Sequence, residues 1–266
     1  MGGAMNLDYE LRIALLAAKC ASEKILEIYS KDFSVCYKND QSPVTDADIQ
    51  ANQVILERLH ESFPEDGFLS EETNDDASRF IRKRCWIIDP LDGTKEFIKK
   101  NGEFSINIGL IDEGEVVLGI VYVPVRDRAY YAVKGEGAYR MESNGDIQRL
   151  HVSQRRKPYN VLISRSHPSK RTVSLLQVKA KDILCVSEMG SAIKGCLIAE
   201  GLFDVYYNFG HSMKWDTCAM ECIVHEAGGV MRRLDDEMID YTESETKNYG
   251  FYMINAIENK VDLSEF

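Results

Sequence analysis

Residues 86–94, which read Trp-Ile-Ile-Asp-Pro-Leu-Asp-Gly-Thr, constrain the fold of this chain more than any other stretch. The first three predict a short buried strand, and two aspartates, Asp89 and Asp92, follow it three positions apart. A proline and a glycine force a tight turn, so both carboxylates and the Leu91 carbonyl can point at one site. Oxygen ligands on a rigid turn suit Mg²⁺. An Asx-type turn with solvated carboxylates is the alternative that this motif alone leaves open.

Two further acidic motifs stand at the ends of apolar segments. Glu71 follows a predicted apolar strand, and Asp216 opens a predicted apolar helix. Taken singly, Glu71 is compatible with a solvated loop charge and Asp216 with a helix N-cap. Carboxylates gathered at buried positions repel one another, and metal cations are the usual remedy. The three motifs together favour a magnesium site, whereas the absence of C-x-x-C and H-x-x-x-H patterns argues against zinc.

Composition and charge restrict the classes of function. The chain has 266 residues, 44% of them apolar and 28% charged, which is typical of a soluble globular protein. Its net charge of −11 argues against a nucleic-acid polymer as partner. No apolar run reaches the length of a transmembrane span, and no secretory signal is evident. Seven cysteines without a C-x-x-C pair favour a reducing compartment, so we expect a cytoplasmic protein, with peripheral membrane association left open.

The hydrophobic pattern predicts two lobes, a metal-binding α+β lobe at residues 1–145 and an α/β lobe at 146–266 that completes the metal and substrate site. Residues 43–46 predict a turn and an N-cap, and the strands from residue 86 to 133 predict an antiparallel meander. The predicted helices are 7–29, 47–63, 169–176, 191–200 and 216–227, and the predicted strands are 86–88, 104–111, 116–125, 129–133, 161–164, 183–186 and 203–207.

Two segments of the second lobe are candidates for binding phosphate. Gly190 and Ser191 precede a predicted helix, whose free N–H groups and dipole would favour an anion. Residues 164–167, Ser-Arg-Ser-His, group two cation-forming side chains with two hydroxyls at a strand end. An ordinary Ser N-cap and an ordinary loop are the structural alternatives for these two segments.

Three motifs in order, at residues 70–72, 86–94 and 215–216, resemble the inositol monophosphatase superfamily of magnesium-dependent, lithium-sensitive phosphatases. The resemblance extends over roughly residues 8–255 and implies a two-lobed α+β fold, a layered αβαβα sandwich. Within the superfamily the chain is most similar to bacterial 3′(2′),5′-bisphosphate nucleotidases of the CysQ type. Asp46 departs from the pattern, because a small or hydroxyl residue is expected there, and it adds a carboxylate near the expected site.

The resemblance also implies a role for each candidate residue. One Mg²⁺ would be held by Glu71, Asp89 and the Leu91 carbonyl, and a second by Asp89, Asp92 and Asp216. Asp48 would pair with Thr94 near the attacking water and help to hold a third ion, so two or three ions are expected. The implied catalytic residues are Asp48, Thr94 and Glu71, and the implied substrate-binding residues are Gly93, Thr94, Arg165, Ser166, His167, Gly190, Ser191, Lys194 and Asp216.

We therefore expect a magnesium-dependent phosphatase that removes the 3′-phosphate of adenosine 3′,5′-bisphosphate by in-line attack of a metal-activated water, with the sulfated nucleotide as a second substrate. An inositol phosphate or fructose bisphosphate phosphatase is the alternative within the same superfamily. A non-catalytic metabolite sensor is a remote alternative, since all the expected ligand residues are present. The expected partner is thus a small nucleotide, and both a monomer and a homodimer are compatible with the sequence.

Overall fold

The computed structural model describes residues 6–38, 42–166 and 168–265. The helices are α1 (Asp8–Tyr29), α2 (Asp46–Ser62), α3 (Thr94–Ile98), α4 (Lys170–Val178), α5 (Ile193–Ala199) and α6 (Lys214–Glu226). The strands are β1 (Val35–Tyr37), β2 (Pro43–Thr45), β3 (Gly67–Ser70), β4 (Arg84–Asp92), β5 (Ser105–Asp112), β6 (Glu115–Val123), β7 (Arg128–Val133), β8 (Gly137–Met141), β9 (Ile147–Arg149), β10 (Tyr159–Ser164), β11 (Ile183–Met189), β12 (Val205–Asn208), β13 (Ser212–Met213), β14 (Val230–Arg233), β15 (Lys247–Asn248) and β16 (Phe251–Ile254). Among the described helices, none is long and apolar enough to cross a membrane.

Strands β3 to β9 form a seven-stranded sheet in chain order. β3 runs parallel to β4, and each later pair of neighbours is antiparallel, which confirms the predicted meander. β9 at residues 147–149 pairs with β8, so the first sheet continues just past residue 145. The division into two lobes at that residue stays a prediction.

Alternation along β4 decides which side of the first sheet carries the acidic turn. Trp86 and Ile88 are buried in the core that α1 and α2 form with this sheet. Ile87 is buried on the opposite side, in the core that includes the apolar face of α6. Because successive side chains of a strand point to opposite faces, Asp89 follows on the same side as Ile87. The fold therefore directs this carboxylate towards α6.

The second sheet completes a layered sandwich. It has five strands in the order β11-β10-β12-β16-β14, of which β11, β10 and β12 are parallel and β16 and β14 run antiparallel to their neighbours. Side chains of α5 and α6 share one core with both sheets, and α4 packs on the outer face of the second sheet. The order of layers is helices, sheet, helices, sheet, helix. The αβαβα architecture implied by the family resemblance is confirmed.

Three local predictions need correction. Pro43–Thr45 is not a turn but the strand β2, which pairs with β1, although Thr45 does cap α2 as expected. α5 begins at Ile193 instead of 191, because Ser191 has a left-handed φ of 49° that a helix cannot include. α6 begins at Lys214, two residues before Asp216, since Asp216 accepts the N–H of Met213 from the third helical position.

Two glycines let α6 lie directly on the first sheet. A Cβ on Gly109 would lie 2.5 Å from Cys218 Sγ, and a Cβ on Gly119 would lie 2.3 Å from the carbonyl oxygen of Ala219. Both distances are far below van der Waals contact, so only glycine permits this approach. The two cysteines of α6, Cys218 and Cys222, are buried free thiols in this contact layer.

Replacing Gly119 with Ala should force α6 away from the sheet, because the new Cβ would overlap the backbone of Ala219. We expect a loss of about 1–3 kcal/mol in the free energy of unfolding, measured by chemical denaturation. Gly210→Ala is the matched control, since its Cβ would meet nothing closer than 3.5 Å. A Gly119→Ala variant as stable as the Gly210→Ala variant would contradict the close seating of α6.

Candidate active site

A cleft of about 540 Å³ lies where the ends of β4, β10 and β11 and the start of α6 meet. Most of the predicted site residues line it, namely Glu71, Asp89, Leu91, Asp92, Gly93, Thr94, Ser166, Gly190, Ser191, Lys194 and Asp216. Two predicted residues within the described part of the chain, Asp48 and Arg165, are not in its lining. His167 lies outside the described residues. The structure therefore gathers in one cleft residues that the sequence separates by up to 145 positions.

Three aspartates converge on the cleft floor. Asp89, Asp92 and Asp216 bring one carboxylate oxygen each within 4.8 Å of the others. The β4–β5 register is interrupted between Asp89 and Asp92, and this irregularity turns both side chains to the same site. Asp89 also accepts the N–H of Leu91 at 3.0 Å, so an Asx-type turn is present. Asp89 is however only 1% exposed, which excludes the solvated carboxylate that such a turn would otherwise indicate.

Burial is the main cause of the raised pKa values of the three aspartates. Burial raises the pKa of Asp89 and of Asp216 well above the usual range, and repulsion from the neighbouring carboxylates adds to both shifts. Burial also raises the pKa of Asp92, although the Lys194 ammonium opposes that shift. Three carboxylates whose charges are disfavoured at such short range form an all-oxygen donor set for a hard divalent cation. The residues present therefore fit a magnesium ion.

Asp92 is the member of the cluster that receives direct hydrogen bonds from β5 and from the turn that follows β11. Its Oδ2 accepts from Asn107 Nδ2 at 3.0 Å and from the N–H of Ala192 at 2.6 Å. Asn107 was missed by the sequence analysis. A usable signal was present, because Asn107 is a polar residue in the otherwise apolar strand β5, where the antiparallel register places it opposite Asp89.

Glu71 lies near the three aspartates but is held by a lysine. Its Oε1 accepts from Lys38 Nζ at 2.7 Å, and the same ammonium lies 2.5 Å from Glu72 Oε1. Burial raises the pKa of Glu71 to about 7 in spite of the opposing charge of Lys38. Lys38 was another residue that the sequence analysis missed, since it follows the short strand β1 and belongs to none of the recognised motifs.

Asp48 and Asp216 both occupy the third position of a helix, where each caps the helix start. Asp48 Oδ2 accepts the N–H of Thr45 at 2.8 Å, and its Oδ1 accepts from Thr94 Oγ1 at 3.1 Å. This is the contact between Asp48 and Thr94 that the family resemblance implies. Asp46, the residue that departs from the family pattern, is exposed in the first turn of α2 and does not line the cleft.

Ser191 lies in the turn that follows β11 and is not the N-cap residue of α5, so the alternative of an ordinary serine N-cap does not hold. Ser191 lies before the helix, and its carbonyl accepts from Lys194 Nζ at 2.6 Å. Lys194 is only 8% exposed and lines the cleft, which excludes the alternative of a solvated surface charge. Burial lowers the pKa of Lys194, while the nearby Asp92 carboxylate opposes the shift. A buried ammonium beside the carboxylate cluster is therefore part of this site.

Arg165 and Ser166, which directly follow β10, make contacts with carboxylates of α3, of the loop before β5 and of β11. The Ser166 hydroxyl donates to Glu96 Oε1 and accepts from Lys99 Nζ at 3.0 Å. The Arg165 guanidinium pairs with Glu103 and Glu188. Glu96, in α3, and Glu103, in the loop before β5, were not among the residues predicted from the sequence.

Comparisons with known proteins find relatives that match most of the chain. The sequence model of the inositol monophosphatase family matches residues 6–252. A Salmonella typhimurium protein named 3′(2′),5′-bisphosphate nucleotidase CysQ is 41% identical over 240 residues, which cover 88% of this chain and 95% of that protein. The Escherichia coli K12 protein of the same name is 40% identical over the same shares of both chains. The crystal structure of CysQ from Bacteroides thetaiotaomicron has a TM-score of 0.80 and 36% identity, and the match covers 93% of this chain and 98% of that one.

The raised pKa values of the aspartates predict how stability depends on pH without metal. A folded carboxyl with a raised pKa keeps a proton that the unfolded chain has lost, so its stabilising contribution declines as pH rises through the folded pKa. Asp89→Asn removes this decline. In EDTA, the unfolding free energy of the variant should therefore fall less than that of wild type as the pH is raised from 5 to 8, measured by chemical denaturation at each pH.

The same variant should lose most of the rise in melting temperature that Mg²⁺ gives wild type, because the cation would stabilise the folded state through this carboxylate. Asp182→Asn is the control, since Asp182 pairs with Lys157 away from the cleft. If the two variants show the same pH profile and the same response to Mg²⁺, the cluster is not a cation site.

Proposed function

This chain belongs to the inositol monophosphatase family, and from that membership we propose that it is a magnesium-dependent 3′(2′),5′-bisphosphate nucleotidase. The observation that carries the reaction type is the convergence of Asp89, Asp92 and Asp216 within 4.8 Å on the floor of a cleft large enough for a metabolite. The substrate class rests on relatives of that name at about 40% identity over most of the chain. The proposed reaction releases AMP and inorganic phosphate from adenosine 3′,5′-bisphosphate.

For the metal ligands we propose the two sets that the family resemblance implies, and the all-oxygen chemistry of the three aspartates supports them. One Mg²⁺ would be held by Glu71, Asp89 and the Leu91 carbonyl, and a second by Asp89, Asp92 and Asp216. Bound magnesium would supply the charge that activates water and stabilises the phosphoryl group and the leaving oxygen. Lys38 Nζ contacts Oε1 of Glu71, so the cation would bind the other carboxylate oxygen or displace the lysine.

Thr94 and Asp48 are proposed to hold the attacking water. The Thr94 hydroxyl donates its hydrogen to Asp48 Oδ1, so its oxygen lone pairs can accept a hydrogen bond from a water in the cleft. Asp48 cannot turn away, because its other oxygen is bound to Thr45. Burial raises the pKa of Asp48, which favours acceptance of a proton at Oδ1 through Thr94. Glu71, which lines the same cleft, is the second carboxylate proposed to act in catalysis, as the family resemblance implies.

The nucleotide is proposed to bind along the cleft wall that faces the aspartates. Lys194 offers a buried ammonium, Ser166 and Ser191 offer hydroxyls, and the glycines at 93 and 190 allow close approach of a phosphate. An adenosine bisphosphate carries one phosphate more than the metal cluster can hold, and Lys194 is the candidate cation for that second group. Asp216, which is proposed to bind the metal, also lines the cleft and is a proposed contact of the substrate.

We further propose that the protein acts in the cytoplasm. All seven cysteines are free thiols in the structure, and four of them are buried. Thiols kept in that state suit a reducing compartment, where nucleotide substrates are also present.

Phosphate release from adenosine 3′,5′-bisphosphate, measured beside inositol 1-phosphate with and without Mg²⁺, tests the proposed activity. Wild type should hydrolyse the bisphosphate with the higher kcat/KM and only in the presence of Mg²⁺. Asp89→Asn should lower turnover by about 10³-fold or more, because Asp89 belongs to both ligand sets. Asp182→Asn serves again as control, and an Asp89→Asn variant within tenfold of wild type would refute the metal assignment.

Lys194→Met tests the second phosphate subsite with a side chain of similar length. The KM for adenosine 3′,5′-bisphosphate should rise about 5- to 150-fold, which corresponds to the 1–3 kcal/mol of a charge-assisted phosphate contact. The KM for inositol 1-phosphate should change much less, since this substrate has no second phosphate. Lys179→Met, which alters a lysine paired with Glu265, is the control. Equal losses on both substrates would mean that Lys194 serves the reacting phosphate or the fold.

A further inference from the structure

Arg165 is fully engaged by protein groups at the end of β10. Its Nε and Nη2 donate to the two oxygens of Glu103 at 2.6 and 2.7 Å, in the bidentate geometry that matches a guanidinium to a carboxylate. Its Nη1 donates to Glu188 Oε2 at 3.0 Å, and Nη2 also reaches the Glu188 carbonyl at 3.2 Å. Each guanidinium nitrogen therefore already has an acceptor.

Glu103 joins Arg165 to the turn that follows β11. Its Oε2 accepts the N–H of Gly190 at 2.9 Å, and Arg165 donates its own N–H to the carbonyl of Met189 at 3.3 Å. Gly190 packs so closely against residues 96–103 that a Cβ there would be 2.7 Å from the Glu103 carbonyl oxygen and 2.8 Å from Glu96 Cγ. One carboxylate from the loop between α3 and β5 thus fixes the turns that follow both β10 and β11.

The position of this turn decides two contacts of the carboxylate cluster. Two residues after Gly190, the N–H of Ala192 donates to Asp92 Oδ2 at 2.6 Å. Between them, the carbonyl of Ser191 accepts from the buried Lys194 ammonium at 2.6 Å. A displacement of the turn by about 1 Å would break both contacts, since an N–H···O hydrogen bond forms at donor–acceptor distances of about 2.7–3.2 Å.

We propose that Arg165 and Glu103 form a positioning pair that holds residues 190–192 against Asp92, and that Arg165 does not bind a substrate phosphate. This inference rests on the proposed function, because the turn that the pair fixes supports the proposed metal cluster. It also replaces the role that the family resemblance implied for Arg165. A guanidinium that bound phosphate would first have to leave Glu103, and the freed Glu103 carboxylate would then repel that phosphate.

Glu103→Gln separates the two roles because they predict opposite effects on substrate binding. Glutamine keeps the size of the side chain and an acceptor for Gly190, but it loses the charge that holds Arg165. If Arg165 were a phosphate ligand, its release would lower the KM for the nucleotide. If the pair positions the turn, kcat falls and KM stays.

The experiment compares Glu103→Gln, Arg165→Met and Arg165→Lys with wild type. The matched control is Arg128→Met, because Arg128 forms an equivalent bidentate pair with Glu142 on the far part of the first sheet. Steady-state kcat and KM are measured on adenosine 3′,5′-bisphosphate. The Mg²⁺ concentration that gives half of the maximal rise in melting temperature is measured separately and needs no substrate.

The positioning role predicts that kcat falls about tenfold or more in Glu103→Gln and Arg165→Met, since small displacements of catalytic groups are costly, while KM stays within about twofold of wild type. Both variants should need several-fold more Mg²⁺ for half of the thermal shift. Arg165→Lys should resemble Arg165→Met, because an ammonium keeps the charge but cannot form the two parallel bonds. Arg128→Met should match wild type in kcat, KM and Mg²⁺ response.

A rise in KM at unchanged kcat in Arg165→Met, together with a lower KM in Glu103→Gln, would overturn the inference and make Arg165 a phosphate ligand. An unchanged Mg²⁺ response in both variants would also overturn it. Failure of the proposed function appears differently, as wild type that does not hydrolyse the bisphosphate. In that case the thermal shift with Mg²⁺ alone still decides whether the pair positions the cluster.

Discussion

The arrangement of groups around the site depends on one constraint, which is the mutual repulsion of three carboxylates that lie close together. Asp89, Asp92 and Asp216 lie too close together, with Asp89 buried and the other two half-buried, for all three charges to be stable without compensation. The chain compensates Asp92 most directly, with an amide from β5, a backbone N–H from the turn after β11 and the ammonium of Lys194. Groups from two sheets and two helices must therefore meet at one point, and the layered fold brings them there.

Helix starts do much of the positioning. The third residue of a helix has a nearly fixed place relative to the N-cap, so a carboxylate that caps its own helix is held without a dedicated loop. Asp48 and Asp216 both use this arrangement, and each keeps one oxygen for the helix and one for the site. The precision of Asp216 then depends on how α6 is seated, which explains why Gly109 and Gly119 leave no room for a side chain beneath it.

Local signals in the sequence were sufficient for part of the site. The turn that holds Asp89 and Asp92 is encoded within nine residues, and helix periodicity places Asp216 near a helix start. The contacts that complete the site join distant positions: Asn107 lies 15 residues from Asp92, Lys38 33 from Glu71, and Arg165 62 from Glu103. Strand register and the packing of the sheets determine these pairs, and neither can be derived from local periodicity. The layered architecture likewise followed from the family resemblance, since the short strands β14 and β16 have no pattern that predicts their antiparallel return.

The charge of the cleft explains how an acidic protein can bind an anionic substrate. Of the described residues, five carboxylates and three lysines line the cleft. Lys38 and Lys194 already face carboxylates, so the protein alone presents a negative surface to a phosphate. Each divalent cation bound to the cluster adds two positive charges where the phosphoryl group must lie. Under the proposed function, cation binding would precede or accompany substrate binding, and by linkage the substrate would strengthen the binding of the cation by the same factor. The substrate would then bind to the carboxylate cluster together with its cation, and not to the carboxylates alone.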